Sequence, residues 1–107
     1  MLTIDEFRRV ELRIATITAA AAHPNADRLL VLQIDLGSEQ RQLVAGIRAH
    51  YEPDALVGKQ IVVVANLEPA MLRGVESQGM LLAASDSEGR LALVTPERPM
   101  APGAPVK

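Results

Sequence analysis

Cysteine is absent from the 107 residues. No disulfide and no thiolate metal site can form, which suits a reducing compartment. Aromatic residues are almost absent as well: Phe7 and Tyr51 stand alone, and there is no Trp. Barrels that grip extended single strands stack bases on aromatic side chains, so that mode has no ladder to use. No apolar run is long. The stretch Ile61-Val62-Val63-Val64-Ala65 is far too short to cross a bilayer, and the N-terminus lacks the basic start and apolar core of a signal peptide. No membrane partner is expected, and the expected location is cytoplasmic. A surplus of positive charge is also missing. The formal net charge is −2, with six basic and six acidic residues in the first fifty and five against seven in the rest. That balance argues against tight, indiscriminate binding of polyanions and leaves room for a local patch.

What is present is a small β-rich domain. Apolar residues make up 49% of the chain, enough for one core and too many for disorder. Residues 1–107 are read as one domain, with 97–107 as an extended tail. Thr3-Ile4-Asp5-Glu6 predicts a capping box that opens a short helix through Arg9. Glu11 to Ala21 reads as a long strand in which Ile17 falls out of phase with Leu12 and Ile14. A bulge near Ala15 or Thr16 restores the pattern. His23-Pro24-Asn25-Ala26-Asp27 is a turn. Leu30 to Leu36 alternates as a half-buried strand, followed by a strand over Arg41 to Ala45. Ile47 to Leu56, broken by Pro53, suits short helical turns. Gln60 to Asn66 reads as a strand buried on both faces. A polar loop over Leu67 to Gly79 follows, then strands at Met80–Ala84 and Leu91–Thr95. The Pro-rich tail cannot form a regular helix. The sum is an all-β fold: a five-stranded Greek-key barrel of the oligonucleotide-binding (OB-fold) type with short helices and a C-terminal extension. A sandwich is the alternative.

No residue set suggests catalysis. Gly74 and Gly79 have the spacing of a phosphate-binding loop, but Met80 and Leu81 stand where its Lys and hydroxyl belong. His23 and His50 lie in different connectors without a paired-ligand spacing, so no metal is expected. Ser77 has no evident base to activate it. No cofactor is implied. Recognition remains. Arg28, Arg41, Arg48 and Arg73 lie at strand ends or in loops, where guanidinium groups suit phosphates. By spacing alone they read as solvated surface charges. Without an aromatic ladder, any nucleic-acid ligand is read by shape and backbone, as in a folded RNA.

Two segments carry a family resemblance: His23-Pro24-Asn25-Ala26-Asp27-Arg28-Leu29 and Gly74-Val75-Glu76-Ser77-Gln78-Gly79-Met80. Matches at Asp5, Phe7, Arg13, Asp35-Leu36-Gly37, Gly46-Ile47, Tyr51, Val63-Val64-Ala65-Asn66-Leu67 and Thr95-Pro96 extend the likeness over nearly the whole chain. The chain resembles the dimeric tRNA-binding domain at the C-terminus of many methionyl-tRNA synthetases, a module that also exists as small free-standing proteins. The resemblance implies a non-catalytic module that binds the outer corner of tRNA without reading one anticodon. It carries Asn25, Arg28, Arg41, Arg73, Ser77 and Met80 over as RNA contacts. It also implies a homodimer paired through the C-terminal extension, with Leu93, Thr95, Pro96, Met100 and Val106 expected at the interface. The catalytic part of a methionine–tRNA ligase is a further implied partner. The ending Pro102 to Lys107 looks like the extreme C-terminus of a long synthetase, and a free-standing protein would share it.

Two departures bear on affinity. Gln33 stands where the family commonly has lysine. Leu67 to Arg73 keeps one basic residue where the family usually has several, and Glu68 reverses a charge. Fewer phosphate contacts imply weaker binding and a shallower salt slope. The other readings are a structural dimerisation module with decayed RNA affinity, and a peptide-binding or chaperone-like barrel.

Overall fold

Residues 1–107 are all described by a computed structural model. The chain begins with α1 (Ile4–Phe7), whose capping box forms as the sequence predicts: the Glu6 amide donates to Thr3 Oγ1 and the Thr3 amide to Glu6 Oε1, both at 3.1 Å. Three long strands follow, β1 (Leu12–Ala22), β2 (Leu30–Asp35) and β3 (Gln40–Ala45). After α2 (Pro53–Leu56) come β4 (Gln60–Val64) and then β5 (Ala70–Leu72), β6 (Val75–Ser77) and β7 (Met80–Leu81). A hairpin of β8 (Ala83–Ser85) and β9 (Leu91–Leu93) and the tail strand β10 (Pro105–Val106) complete the chain.

One strongly curled antiparallel sheet organises the molecule, in the order β3-β2-β1-β4-β7. Leu12 and Arg13 pair with both β4 and β10, so β10 lies on the β2 side of β1. The core sits inside the curl of this single sheet, which makes the fold barrel-like and sets the sandwich aside. The five-strand count needs correction. Six strands share the main sheet, and β5–β6 and β8–β9 form two small sheets of their own.

The bulge in β1 falls between Ile17 and Ala19, slightly later than the alternation suggested. Its cause is that Ala15 and Ile17, not Leu12 and Ile14, hold the inward phase. Both are fully buried in a core cluster with Leu30, Leu32, Ile34, Leu43, Ile61 and Val63. Each such Leu, Ile or Val side chain contributes about 1.5–3 kcal/mol on burial. Pro53 at the first turn of α2 starts that helix with its ring tolerated and its φ preset. The helix delivers Leu56 into the same core. Strand β4 is buried on both faces, as its β-branched run implies.

The tail does not remain loose against solvent. Gly103 donates to the Ile14 carbonyl at 2.7 Å, and Ile14 donates to Ala104 at 2.9 Å. This crossing is backbone against backbone. A β-carbon on Gly103, where φ is +87°, would lie 2.2 Å from the Leu36 carbonyl oxygen, a position only glycine can hold.

The segment read as a polar loop, Leu67 to Gly79, is a tight hairpin. Leu72 faces Val75 across a two-residue turn, Arg73-Gly74, with φ of 52° and 88°. Positive φ at both positions is the preferred geometry for so short a hairpin, but Asn or Asp usually fills the first place.

Candidate nucleic-acid interface

Three connections meet at one end of the sheet: the β1–β2 turn, the segment leaving β3, and the β5–β6 hairpin. His23 and Leu29 close the turn through a backbone hydrogen bond of 3.0 Å. From the segment after β3, the Arg48 amide donates to the Arg28 carbonyl and its guanidinium to the Ala26 carbonyl, both at 3.3 Å. From the hairpin tip, Arg73 Nη2 donates to the Asn25 carbonyl at 3.2 Å. Asn25, Arg28, Arg48 and Arg73 are all exposed. They surround one turn although up to 48 positions separate them in sequence.

The positive charge at this end has no carboxylate partner. Arg8, Arg13, Arg41, Arg90 and Arg98 each have a carboxylate within reach, whereas Arg9, Arg28, Arg48 and Arg73 have none. Three of those four gather around the β1–β2 turn. A guanidinium without an internal anion keeps its charge unneutralised, and Arg48 and Arg73, each with one nitrogen on a backbone carbonyl, retain further N–H donors for phosphate.

Arg41, Ser77 and Met80 lie apart from this turn: Arg41 where β3 begins, Ser77 against Val44 near its end, and Met80 opposite Val64 of β4. Arg41 is not free. It donates to Glu39, to the Ala65 carbonyl and, at 3.4 Å, to the Gln78 carbonyl. The hydrogen bond from Arg41, helped by its charge, holds the Glu39 carboxyl below its ordinary range. Arg41 therefore ties β3 to the ends of β4 and β6. Ser77 is 4% exposed. Its hydroxyl accepts from the Val44 amide at 2.9 Å and donates to the Gly79 carbonyl at 3.0 Å. The expected phosphate-facing hydroxyl is thus spent inside the fold. Met80, at the start of β7 and opposite Val64, is half exposed, as a surface contact requires.

Side-chain amides form a row here. Gln33 donates to Gln42 at 3.0 Å, and Gln42 donates to the Glu76 carbonyl at 2.8 Å. The Gln42 backbone N–H donates to Gln78 Oε1 at 3.0 Å. The row crosses β2, β3 and β6 and fixes the base of the hairpin to the sheet.

The residues expected at a dimer interface scatter. Leu93 packs against the core, and its amide donates to the Tyr51 hydroxyl at 3.2 Å. Thr95 and Pro96 line a polar cleft with Lys59, Gln60 and Arg98. Met100 is held beside that cleft by Gln60, which bonds its amide at 2.9 Å and its carbonyl at 2.6 Å. Val106 alone lies in a groove of about 730 Å³, where Ile4, Phe7, Val10, Leu12 and Pro105 form an apolar strip bordered by Arg8, Arg9, Glu11, Asn66 and Lys107. Sequence reasoning missed that α1 contributes to this groove. The signal in the sequence is that Ile4 and Phe7 stand one turn apart on one helical face, and the structure leaves both exposed, at 61% and 40%.

A curled β-sheet whose connections present exposed guanidinium groups without carboxylate partners has the layout of an oligonucleotide-binding barrel. Residues 12–105 match the family described as "Putative tRNA binding domain", and the chain belongs to that family. It is 57% identical over 105 residues to the methionine–tRNA ligase of Thermotoga maritima and 52% identical over 106 residues to that of Thermococcus kodakarensis. Those alignments cover 98% and 99% of this chain but 16% and 14% of the relatives. The chain thus spans about a sixth or less of the length of the curated relatives it matches. Among solved structures, a MetRS-related protein from Pyrococcus horikoshii superposes with a TM-score of 0.94 at 33% identity, covering 100% of this chain and 98% of that one. The chaperone CsaA from Bacillus anthracis superposes with a TM-score of 0.90 at 30% identity, covering 100% and 99%.

Proposed function

We propose that this chain is the tRNA-binding, non-catalytic appendage of a methionyl-tRNA synthetase, acting in the cytoplasm and binding folded tRNA by shape and backbone. The observation that carries the reading is the meeting of Arg28, Arg48 and Arg73, all without carboxylate partners, around Asn25. Phosphate contacts position an RNA without reading its sequence, which fits a module serving several tRNAs. Arg41 and Ser77 enter this reading as residues that shape the surface. Met80 enters as an unbranched apolar contact for a ribose or base face. Filter binding with several tRNAs and an unstructured RNA of equal length tests it. The tRNAs should bind comparably and better than the unstructured RNA, and equal retention of all of them refutes recognition by shape.

The same module forms a homodimer in this reading. The groove between α1 and β10 supplies an apolar face that includes Val106, and pairing two copies lets modest contacts on each act together. Light scattering at tens of micromolar should give the mass of two chains. A single-chain mass overturns the dimer. The likeness to the chaperone CsaA, together with exposed Met71 at 65%, favours polypeptide binding as a second reading. Competition by unfolded protein against tRNA for this chain separates the two.

A further inference from the structure

His23 is 3% exposed, and both of its ring nitrogens have partners. The Asn25 amide donates to Nδ1 at 2.9 Å, and Nε2 lies 2.9 Å from the Leu72 carbonyl oxygen. An amide N–H can only donate and a carbonyl can only accept, so the ring is neutral with its proton on Nε2. One side chain thereby closes the β1–β2 turn and holds the β5–β6 hairpin at the residue next to its tip.

Within strand β5 nothing substitutes for that bond. The base of the hairpin is fixed through Ser77, Gln42 and Gln78 on the β6 side. Outside its pairing with β6, strand β5 makes one hydrogen bond, the one from His23. The next residue, Arg73, holds a φ of 52° that a β-carbon disfavours. Its guanidinium reaches back to the carbonyl of Asn25, the residue whose amide His23 accepts. His23, Asn25, Arg73 and Leu72 therefore close a ring across two connections that are distant in sequence.

We propose that His23 is a positioning residue: it fixes the hairpin against the Asn25 turn so that Arg73 stands beside Arg28 and Arg48 before RNA arrives. The proposal rests on the tRNA-binding reading. Ordering the hairpin in advance lowers the entropy lost on binding. With both nitrogens occupied, the ring has no lone pair or proton left for a metal or for acid–base work.

Two substitutions separate its two bonds. His23→Asn keeps an acceptor near Nδ1 for the Asn25 amide but does not reach Leu72. His23→Gln reaches Leu72 with a donor but offers no acceptor to Asn25. His23→Asn should weaken tRNA binding about ten-fold and lower the salt slope by about one, as Arg73→Ala should. Combined with Arg73→Ala it should cost nothing more, whereas combined with Arg28→Ala it should cost the same ten-fold again. His23→Gln should keep the slope. In the RNA-free protein, His23→Asn should speed hydrogen exchange at Leu72 and Val75 and His23→Gln should not.

Unchanged slope and exchange in His23→Asn refute the proposal. So do losses equal in both variants and additive with Arg73→Ala, which describe a buried polar residue that supports the whole fold. Failure of both variants to fold has the same meaning. Absence of tRNA binding by the unsubstituted chain overturns the tRNA reading itself, and the positioning role with it. Faster exchange in His23→Asn without RNA then still identifies the hairpin anchor, so the two failures are distinguishable.

Discussion

Ser77→Ala separates two roles for one hydroxyl. If Ser77 contacts RNA, its loss lowers affinity and leaves the fold alone. The structure assigns it the opposite part. The hydroxyl accepts from the Val44 amide at 2.9 Å and donates to the Gly79 carbonyl at 3.0 Å, and Val44 is itself 7% exposed. Alanine leaves the Val44 N–H buried without an acceptor, a loss of about 1–3 kcal/mol. The Gly79 carbonyl loses a donor at the point where β6 hands over to β7. For a domain of this size a kcal/mol corresponds to about 4–8 °C in melting temperature, so a fall of roughly 5–20 °C is expected. Circular dichroism melting at one fixed protein concentration measures it, because dimerisation would otherwise shift the midpoint. A melting temperature within about 2 °C of the unsubstituted chain, far below that range, refutes the assignment. Reduced tRNA affinity in such a stable variant would return Ser77 to the RNA surface.

Other expectations follow from the same contacts. Gly103→Ala places a β-carbon 2.2 Å from the Leu36 carbonyl, so the tail should detach and limited proteolysis should remove it while residues 1–96 survive; an intact, protected tail contradicts the packing. Gln33→Lys adds a positive charge at an exposed strand position, and should raise the tRNA salt slope by about one; filter binding across a salt series reads this, and an unchanged slope places Gln33 off the RNA path. The Asp86 carboxyl is held below its ordinary range first by the Arg90 amide and then by the Arg90 guanidinium. Its folded value is lowered, so its contribution to stability is complete above about pH 4 and is lost as pH falls through the folded value. Asp86→Asn should flatten that acid limb in urea titrations between neutral and acid pH, and an unaltered limb shows that the turn is not coupled to folding.

Fold class was legible because local signals and tertiary context agree through most of the chain. Thr3 and Glu6 sit at capping-box spacing, and Leu30 to Asp35 alternates with the strand period. The β1 phase is hard to read at Leu12 and Ile14 because the neighbours Ile14 and Ala15 are both buried, so the strand is covered on both faces there and burial leaves no period in it. The β5–β6 hairpin was obscured by Arg73, since a non-glycine residue with positive φ is an uncommon occupant of that turn. Site legibility was lower still. Spacing can flag Arg28, Arg41 and Arg73 alike, but it cannot show that Glu39 and two backbone carbonyls occupy Arg41. Nor can it show that Arg48 folds back over Ala26 to join the others.

The central claim is that three arginines without carboxylate partners bind the backbone of folded tRNA, and the salt dependence of binding addresses it most directly. The slope of log affinity against log salt should fall by about three when Arg28, Arg48 and Arg73 are all replaced by alanine, with the melting temperature nearly unchanged. Binding by the unsubstituted chain should be clear at ~50 mM salt and weak at ~200 mM. No retention of tRNA above background at the lower salt, or a triple variant with the original slope, contradicts the account.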